Sequence, residues 1–131
     1  MTPAVFINSS RLPFVDLIGS GSKLYETRTR NMLGRFLGER ILLTETGNGC
    51  PVIRYSAEID CIIAVYTRSA WEKYRQDACI PVGSEYDWQD GTKVKWLYKL
   101  TDVRPVDPVP LPQDARRHGR TWAEYDGEIS C

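Results

Sequence analysis

The chain has 131 residues, of which 42% are hydrophobic and 26% are charged, and this composition predicts one folded domain and argues against disorder. Seventeen basic residues balance seventeen acidic ones, so any affinity for nucleic acid must come from a local basic patch. No apolar run approaches the roughly 20 residues of a membrane helix, and the N-terminus lacks the pattern of a secretory signal, so a cytoplasmic location is expected.

The first half of the chain predicts short elements separated by turns. Four of them precede the first clear hairpin: a strand over 4–8, a helix over 13–18, a strand over 24–30 and a helical turn or loop over 33–38. A strand over 40–45 then ends at Thr46-Gly47-Asn48-Gly49. Because the Asn-Gly pair tolerates positive φ, we expect a hairpin there, with a long return strand over 52–66.

The second half predicts one helix and one strongly alternating strand. Ser69 and Glu72 have the spacing of a capping box, which predicts a helix that runs to about Ala78. Residues 93–100 alternate, so that Val94, Trp96, Tyr98 and Leu100 are expected on one face and Lys93, Lys95 and Lys99 on the other.

The C-terminal quarter is expected to lie outside the main core, which spans about 4–105. Residues 103–112 carry four prolines and must be extended or at a sheet edge. Thr121 and Glu124 form a second capping-box pattern, so residues 106–131 are predicted to be a proline-rich extended segment followed by a short helix. Together these elements predict a single α+β domain that is mostly β, a five- or six-stranded mixed or antiparallel barrel with short peripheral helices.

The stretch Gly-Ser-Gly-Ser-Lys-Leu-Tyr-Glu-Thr-Arg, residues 19–28, has the strongest functional pattern. Glu26 and Arg28 are two residues apart on a predicted strand, so they share one face about 7 Å apart. Lys23 stands at the junction of loop and strand, where a desolvated amine could act as a base or nucleophile. The alternative is a solvated Glu26–Arg28 ion pair with no function.

Two further groups of residues could extend such a site. Arg30 belongs to a basic set in the first forty residues that could contact phosphates, together with Arg11, Lys23, Arg28, Arg35 and Arg40. The loop residues Tyr86 and Trp88 could stack on a base, while Glu85 and Asp87 could accept a hydrogen bond or act as acid or base. A basic segment around His118, with Arg116, Arg117 and Arg120, could lengthen a nucleic-acid footprint.

The cysteines and the single histidine do not predict a metal site or a cofactor. The four cysteines, Cys50, Cys61, Cys79 and Cys131, form no CxxC pair, and only His118 is available to join them. We therefore expect reduced thiols, with Cys131 exposed at the chain end.

The order of motifs resembles the ASCH family of small PUA-like domains. The resemblance rests on Pro13, then Gly21, Lys23, Glu26 and Arg28 as Gly-x-Lys-x-x-Glu-x-Arg, and then on Gly-Glu-Arg-Ile-Leu-Leu over 38–43. It covers about residues 5–105 and implies a β-barrel whose cleft, beside the first helix, meets RNA or a nucleoside.

The resemblance also implies two kinds of activity. Some family members are ribonucleases, and small bacterial members hydrolyse the amide of acetylated cytidine with a lysine, a threonine and a distant glutamate. Lys23 matches that lysine, and Glu26 stands at the position of the threonine. The distant acid is one of Asp77, Glu85 and Asp87.

Three functions therefore remain open. The first is a domain that binds RNA or a modified nucleoside through Lys23, Glu26 and Arg28. The second is a small amidohydrolase or ribonuclease that uses Lys23, Glu26 and a downstream acid such as Glu85. The third is an adaptor that binds another protein and no nucleic acid.

Overall fold

The computed structural model describes residues 1–130, so Cys131 lies outside the described residues. The seven strands are β1 (Thr2–Asn8), β2 (Tyr25–Arg28), β3 (Arg40–Thr46), β4 (Val52–Val65), β5 (Lys95–Pro110), β6 (Arg117–His118) and β7 (Trp122–Tyr125). The helices are α1 (Phe14–Gly19), α2 (Arg68–Arg75) and a 3-10 turn over Gly34–Phe36. Among residues 1–130, no helix is long and apolar enough to cross a membrane.

All seven strands belong to one sheet that curls into a half-barrel. Their order is β2-β5-β4-β3-β1-β7-β6, and every neighbouring pair is antiparallel except β1 and β3, which are parallel. The predicted hairpin joins β3 to β4, with Gly47 and Gly49 both at positive φ. The predicted mostly β, mixed PUA-like architecture is confirmed. The count of five or six strands is too low because the C-terminal segment adds two.

Strand β1 is buried on both faces of the sheet. Its side chains alternate between two hydrophobic clusters, with Val5 and Ile7 in the larger one and Ala4 and Phe6 in the smaller one. The smaller cluster is completed by Val106, Leu111, Tyr125 and other residues of the last quarter of the chain. Residues 106–125 are therefore an integral part of the sheet and its packing.

The predicted C-terminal helix is wrong, because Trp122–Tyr125 is strand β7. It pairs with β1, and Trp122 packs in the larger cluster while Ala123 and Tyr125 pack in the smaller one. Only a strand can send adjacent side chains to opposite faces in this way. This two-sided burial outweighs the local capping-box pattern at Thr121 and Glu124.

The helix predicted from Ser69 exists but has a different start and end. Its N-cap is Thr67, whose side-chain oxygen accepts a hydrogen bond from the Ala70 amide at 3.1 Å. The last helical residue is Arg75, followed by turns that include Cys79 at φ 56°. The capping-box assignment at Ser69 is therefore wrong by two residues.

Strand β5 is also covered on the face that carries its lysines. Lys95 lies on the face opposite Trp96 and Tyr98 and is buried, because α2 and the loop after it cover this face of the strand. Its Nζ donates to the Tyr86 carbonyl at 2.7 Å and lies 5.2 Å from the centroid of the Trp71 ring. The extended proline-rich segment is confirmed, since β5 continues to Pro110, paired only with β4 there.

The curl of the half-barrel brings the edge strands β2 and β6 towards the same region without pairing them. Arg28 of β2 donates from Nη2 to the Phe6 carbonyl of β1 at 2.7 Å. The Trp122 ring of β7 meets Phe36 edge-on at 4.9 Å. Strands β1, β2 and β6 border a gap in the half-barrel, which we call the seam. The candidate site lies along this seam.

Candidate functional site

A small cleft of about 170 Å³ opens at one end of the seam. Its lining residues come from β1, α1, β2 and the loop before β5, and they are Ile7, Asn8, Phe14, Glu26, Thr27, Arg28 and Tyr86. The cleft therefore combines an apolar wall with one carboxylate and one guanidinium. We call it the small cleft.

Glu26 presents an unsatisfied acceptor to the small cleft. Its position on β2 turns the side chain inwards, so that it is 6% exposed. The Oε1 atom accepts from the Thr27 amide at 2.9 Å, whereas Oε2 is buried and has no hydrogen-bond partner within residues 1–130. Because a buried carboxylate oxygen without a partner is costly, a ligand that brings a donor to this atom would remove that cost.

Arg28 presents a donor beside that acceptor. Its Nη2 is held by the Phe6 carbonyl, and its Nε is buried without a hydrogen-bond partner in the described part of the chain. The Nε atom lies 4.0 Å from Glu26 Oε1, which is too long for a hydrogen bond. The two side chains therefore share one face, as the alternation predicted, and they form a long ion pair in which Glu26 is buried and Arg28 is half-buried.

Lys23 lies close to this pair but does not line the small cleft. Its side chain is 2% exposed, and Nζ donates to the Ala78 carbonyl at 2.5 Å and sits 4.3 Å from the centroid of the Phe14 ring. Burial lowers the pKa of Lys23, and the nearby Glu26 carboxylate opposes that shift. The amine is thus desolvated behind the aromatic wall.

The loop residues Glu85 and Tyr86 lie at the rim. The Tyr86 ring lines the small cleft and meets Phe14 edge-on at 5.1 Å. Burial raises the pKa of the Tyr86 hydroxyl, and a hydrogen bond to Glu85 adds to the shift. The exposed Glu85 carboxylate pairs with Arg11 at 3.2 Å.

The remaining predicted site residues lie elsewhere. Asp87 points into its own loop and accepts from Trp71 Nε1, and Trp88 packs against the larger hydrophobic cluster. Arg30 lines a separate cleft between the 29–30 and 89–94 segments. The Asp77 side chain is exposed, and its carbonyl accepts from the Leu24 amide. These residues are therefore not brought together with Glu26 and Arg28.

A second, larger cleft of about 480 Å³ continues along the seam. It shares Asn8 and Arg28 with the small cleft, and its other lining residues are Phe6, Thr46, Gly47, Gly49, Pro51, Arg117, Gly119 and Arg120. We call it the arginine groove. The sequence singled out Arg117 and Arg120 as part of a basic segment, whereas Asn8 and Phe14 carried no sequence signal as site residues.

Comparison with known proteins gives a structural match. No protein-family model matches the chain, and no curated protein does. The crystal structure of ASCH from Zymomonas mobilis superimposes with a TM-score of 0.68 at 25% sequence identity, over 82% of this chain and 73% of that chain. This chain has the ASCH-domain fold.

Two variant structures of the same Zymomonas mobilis protein agree. Both match the ASCH-domain fold of this chain with a TM-score of 0.68, at 25% and 24% identity, and cover 76% and 74% of their own chains. The fold predicted from Gly-x-Lys-x-x-Glu-x-Arg and Gly-x-Arg-Ile-Leu-Leu is therefore confirmed. The roles of Lys23, Glu26 and Arg28 stay predictions.

Proposed function

We propose that this ASCH-fold domain binds RNA or a nucleoside, with one base in the small cleft. The observation that carries the proposal is that two buried atoms of residues lining that cleft, Glu26 Oε2 and Arg28 Nε, have no hydrogen-bond partner within residues 1–130. One atom needs a donor and the other needs an acceptor. A ligand that brings both, side by side, relieves two buried polar groups at once.

A nucleobase edge has the required chemistry. Each of the four RNA bases places an N–H donor next to a ring nitrogen or carbonyl acceptor, so one edge can donate to Glu26 and accept from Arg28. The Phe14 and Tyr86 rings offer apolar and aromatic surface to the base. The volume of about 170 Å³ is below that of pockets for drug-sized molecules, which suits one planar ring.

The test is binding of the four ribonucleosides and of short single-stranded RNA to the wild type and to Glu26→Gln. We expect the substitution to weaken binding about 10- to 100-fold, because an amide nitrogen replaces one acceptor oxygen and the charge is lost. Glu39→Gln is the matched control, since Glu39 is exposed and lies outside both clefts. The proposal fails if no nucleoside or RNA binds, or if the two variants bind equally well.

The buried amine of Lys23 favours a second candidate, an amidohydrolase or ribonuclease. Desolvation lowers the pKa of Lys23 next to Glu26, which is the environment of a lysine that acts as a base. For this reaction the substrate must reach Lys23 Nζ, so either the Phe14 ring must move aside or the hydrogen bond from Nζ to the Ala78 carbonyl must break. Turnover of acetylated cytidine or RNA that Lys23→Ala abolishes supports the enzyme, whereas binding without product supports the binding domain.

The third candidate, a protein-binding adaptor, makes a different prediction for the same assays. It requires that RNA does not bind even at low salt and that Arg28→Ala does not alter the binding result. The salt dependence of RNA binding separates a nucleic-acid-binding protein from an adaptor, because each phosphate contact contributes to a loss of affinity with rising salt.

A further inference from the structure

The small cleft and the arginine groove adjoin through shared side chains. Asn8 and Arg28 line both. A base that contacts Arg28 Nε therefore has its sugar and any attached phosphate directed either to solvent or along the seam into the groove. The groove, at about 480 Å³, has room for more than one such group.

The charge of the arginine groove is entirely positive. Arg28, Arg117 and Arg120 line it, and none of its lining residues is acidic. Arg117 and Arg120 are exposed, and within residues 1–130 neither forms an ion pair, whereas the neighbouring Arg116 pairs with Glu124 at 3.5 Å. Guanidinium groups without a carboxylate partner are suited to bind phosphate oxygens.

The shape of the arginine groove is set by two glycine-containing turns that face each other across the seam. The β3–β4 turn contributes Gly47 and Gly49, and the β6–β7 turn contributes Gly119. Apart from its chain neighbours, a Cβ atom placed on Gly49 or Gly119 would meet no heavy atom of residues 1–130 within 4 Å, so the groove is open at its rim. The groove can therefore hold either a strand of nucleic acid that continues beyond it or a ligand that ends within it.

We propose that the arginine groove binds the phosphate attached to the nucleoside whose base occupies the small cleft. This inference rests on the proposed function and narrows it: the ligand is a nucleotide unit, and a free nucleoside fills only half of the site. The phosphate belongs either to a mononucleotide or to the phosphodiester of an RNA strand. Arg28 contacts both parts of the ligand, while Arg117 and Arg120 contact the phosphate alone.

The test compares binding of nucleosides, their 5′- and 3′-monophosphates and short single-stranded RNA, each as a function of salt. The variant is Arg117→Ala with Arg120→Ala. The control is Arg68→Ala with Lys73→Ala, which removes two exposed positive charges from α2 and leaves the seam intact. We expect the phosphate to raise wild-type affinity at least tenfold, and we expect the groove variant to lose that gain and keep its affinity for nucleosides.

The outcomes separate the ligand sources and the two proposals. If monophosphates bind as tightly as RNA, the groove binds a terminal phosphate. If the gain in affinity over the nucleoside is seen only with RNA, the groove binds a phosphodiester. A groove variant that also has a shallower salt dependence than the α2 control supports the proposal. If nucleosides bind and phosphate adds nothing, or if the groove and control variants behave alike, this inference is overturned while the proposed function stands. If nothing binds, both are overturned.

Discussion

Asp87→Asn should destabilise the protein strongly, although Asp87 itself lines neither cleft. The Asp87 side chain is 4% exposed, and its Oδ1 accepts from Trp71 Nε1 and the Trp88 amide, both at 2.7 Å, while Oδ2 accepts from the Gly83 amide at 2.8 Å. The bond from Trp71 ties the 83–88 loop to α2, and the other two bonds hold the loop in its own conformation.

In the variant, an amide NH2 group takes the place of one carboxylate oxygen. One of the three hydrogen bonds is lost, because the new NH2 group faces the N–H donor that the carboxylate oxygen had accepted from. The other two hydrogen bonds are no longer strengthened by the negative charge. We expect a loss of about 2–4 kcal/mol in the free energy of unfolding, or on the order of 10 °C in Tm. The assay is urea unfolding, with exposed Asp90→Asn as the control, for which little change is expected.

The same carboxylate gives the prediction a pH signature. Burial alone raises the pKa of Asp87, but the hydrogen bonds from Gly83, Trp71 and Trp88 outweigh it and lower the pKa. The folded state therefore holds its proton less tightly than the unfolded chain, so the stabilisation is full at neutral pH and is lost as the pH falls below about 4. The difference between wild type and variant should narrow over that range. A gap below about 0.5 kcal/mol at pH 7, or one that widens in acid, would refute the reasoning.

Two other predictions concern α2 and Lys23. Thr67→Ala should lower the free energy of unfolding in urea by about 1 kcal/mol, because it removes the N-cap acceptor, and Ser69→Ala should lower it by only a few tenths of a kcal/mol. A larger loss for Ser69→Ala than for Thr67→Ala would instead support a capping box at Ser69. Desolvation lowers the pKa of Lys23, so the unfolded chain binds this proton more tightly, and stability should rise with pH between the lowered value and about 10.4. Lys23→Met should remove that rise, and pH–stability profiles that run parallel for the two proteins would contradict it.

The elements that could be predicted from the sequence are those with an apolar run, an alternating face or a diagnostic turn. The β3–β4 hairpin followed from Asn48-Gly49, and α1 followed from Pro13 and the apolar run after it. Strand β7 could not be recognised because both of its faces are buried, so it lacks the apolar–polar alternation that identifies a strand. The burial of Lys95 could not be predicted for a related reason: alternation shows which residues share a face, but not whether a helix covers that face.

The candidate site divides in the same way. Glu26 and Arg28 could be paired from their spacing, because two residues on a strand share a face whatever the rest of the chain does. Their small cleft also needs Asn8 and Phe14, and the arginine groove needs Arg117, nearly ninety residues further on. Those contacts depend on the curl of the whole sheet, which no local pattern encodes.

Because the seam lies where a barrel has not closed, its width is set by the curvature of the sheet and not by the residues that border it. Strand β4 lies near the middle of the sheet, and its pairing with β5 shifts register at three places, between Ile53 and Tyr55, Ser56 and Glu58, and Ile59 and Cys61. Such irregularities increase the bend and twist of a strand. A substitution that straightens β4 would change the distance between Arg28 and Arg117 without altering either. The size of ligand that the domain accepts therefore depends on the curvature of β4, which does not line the seam.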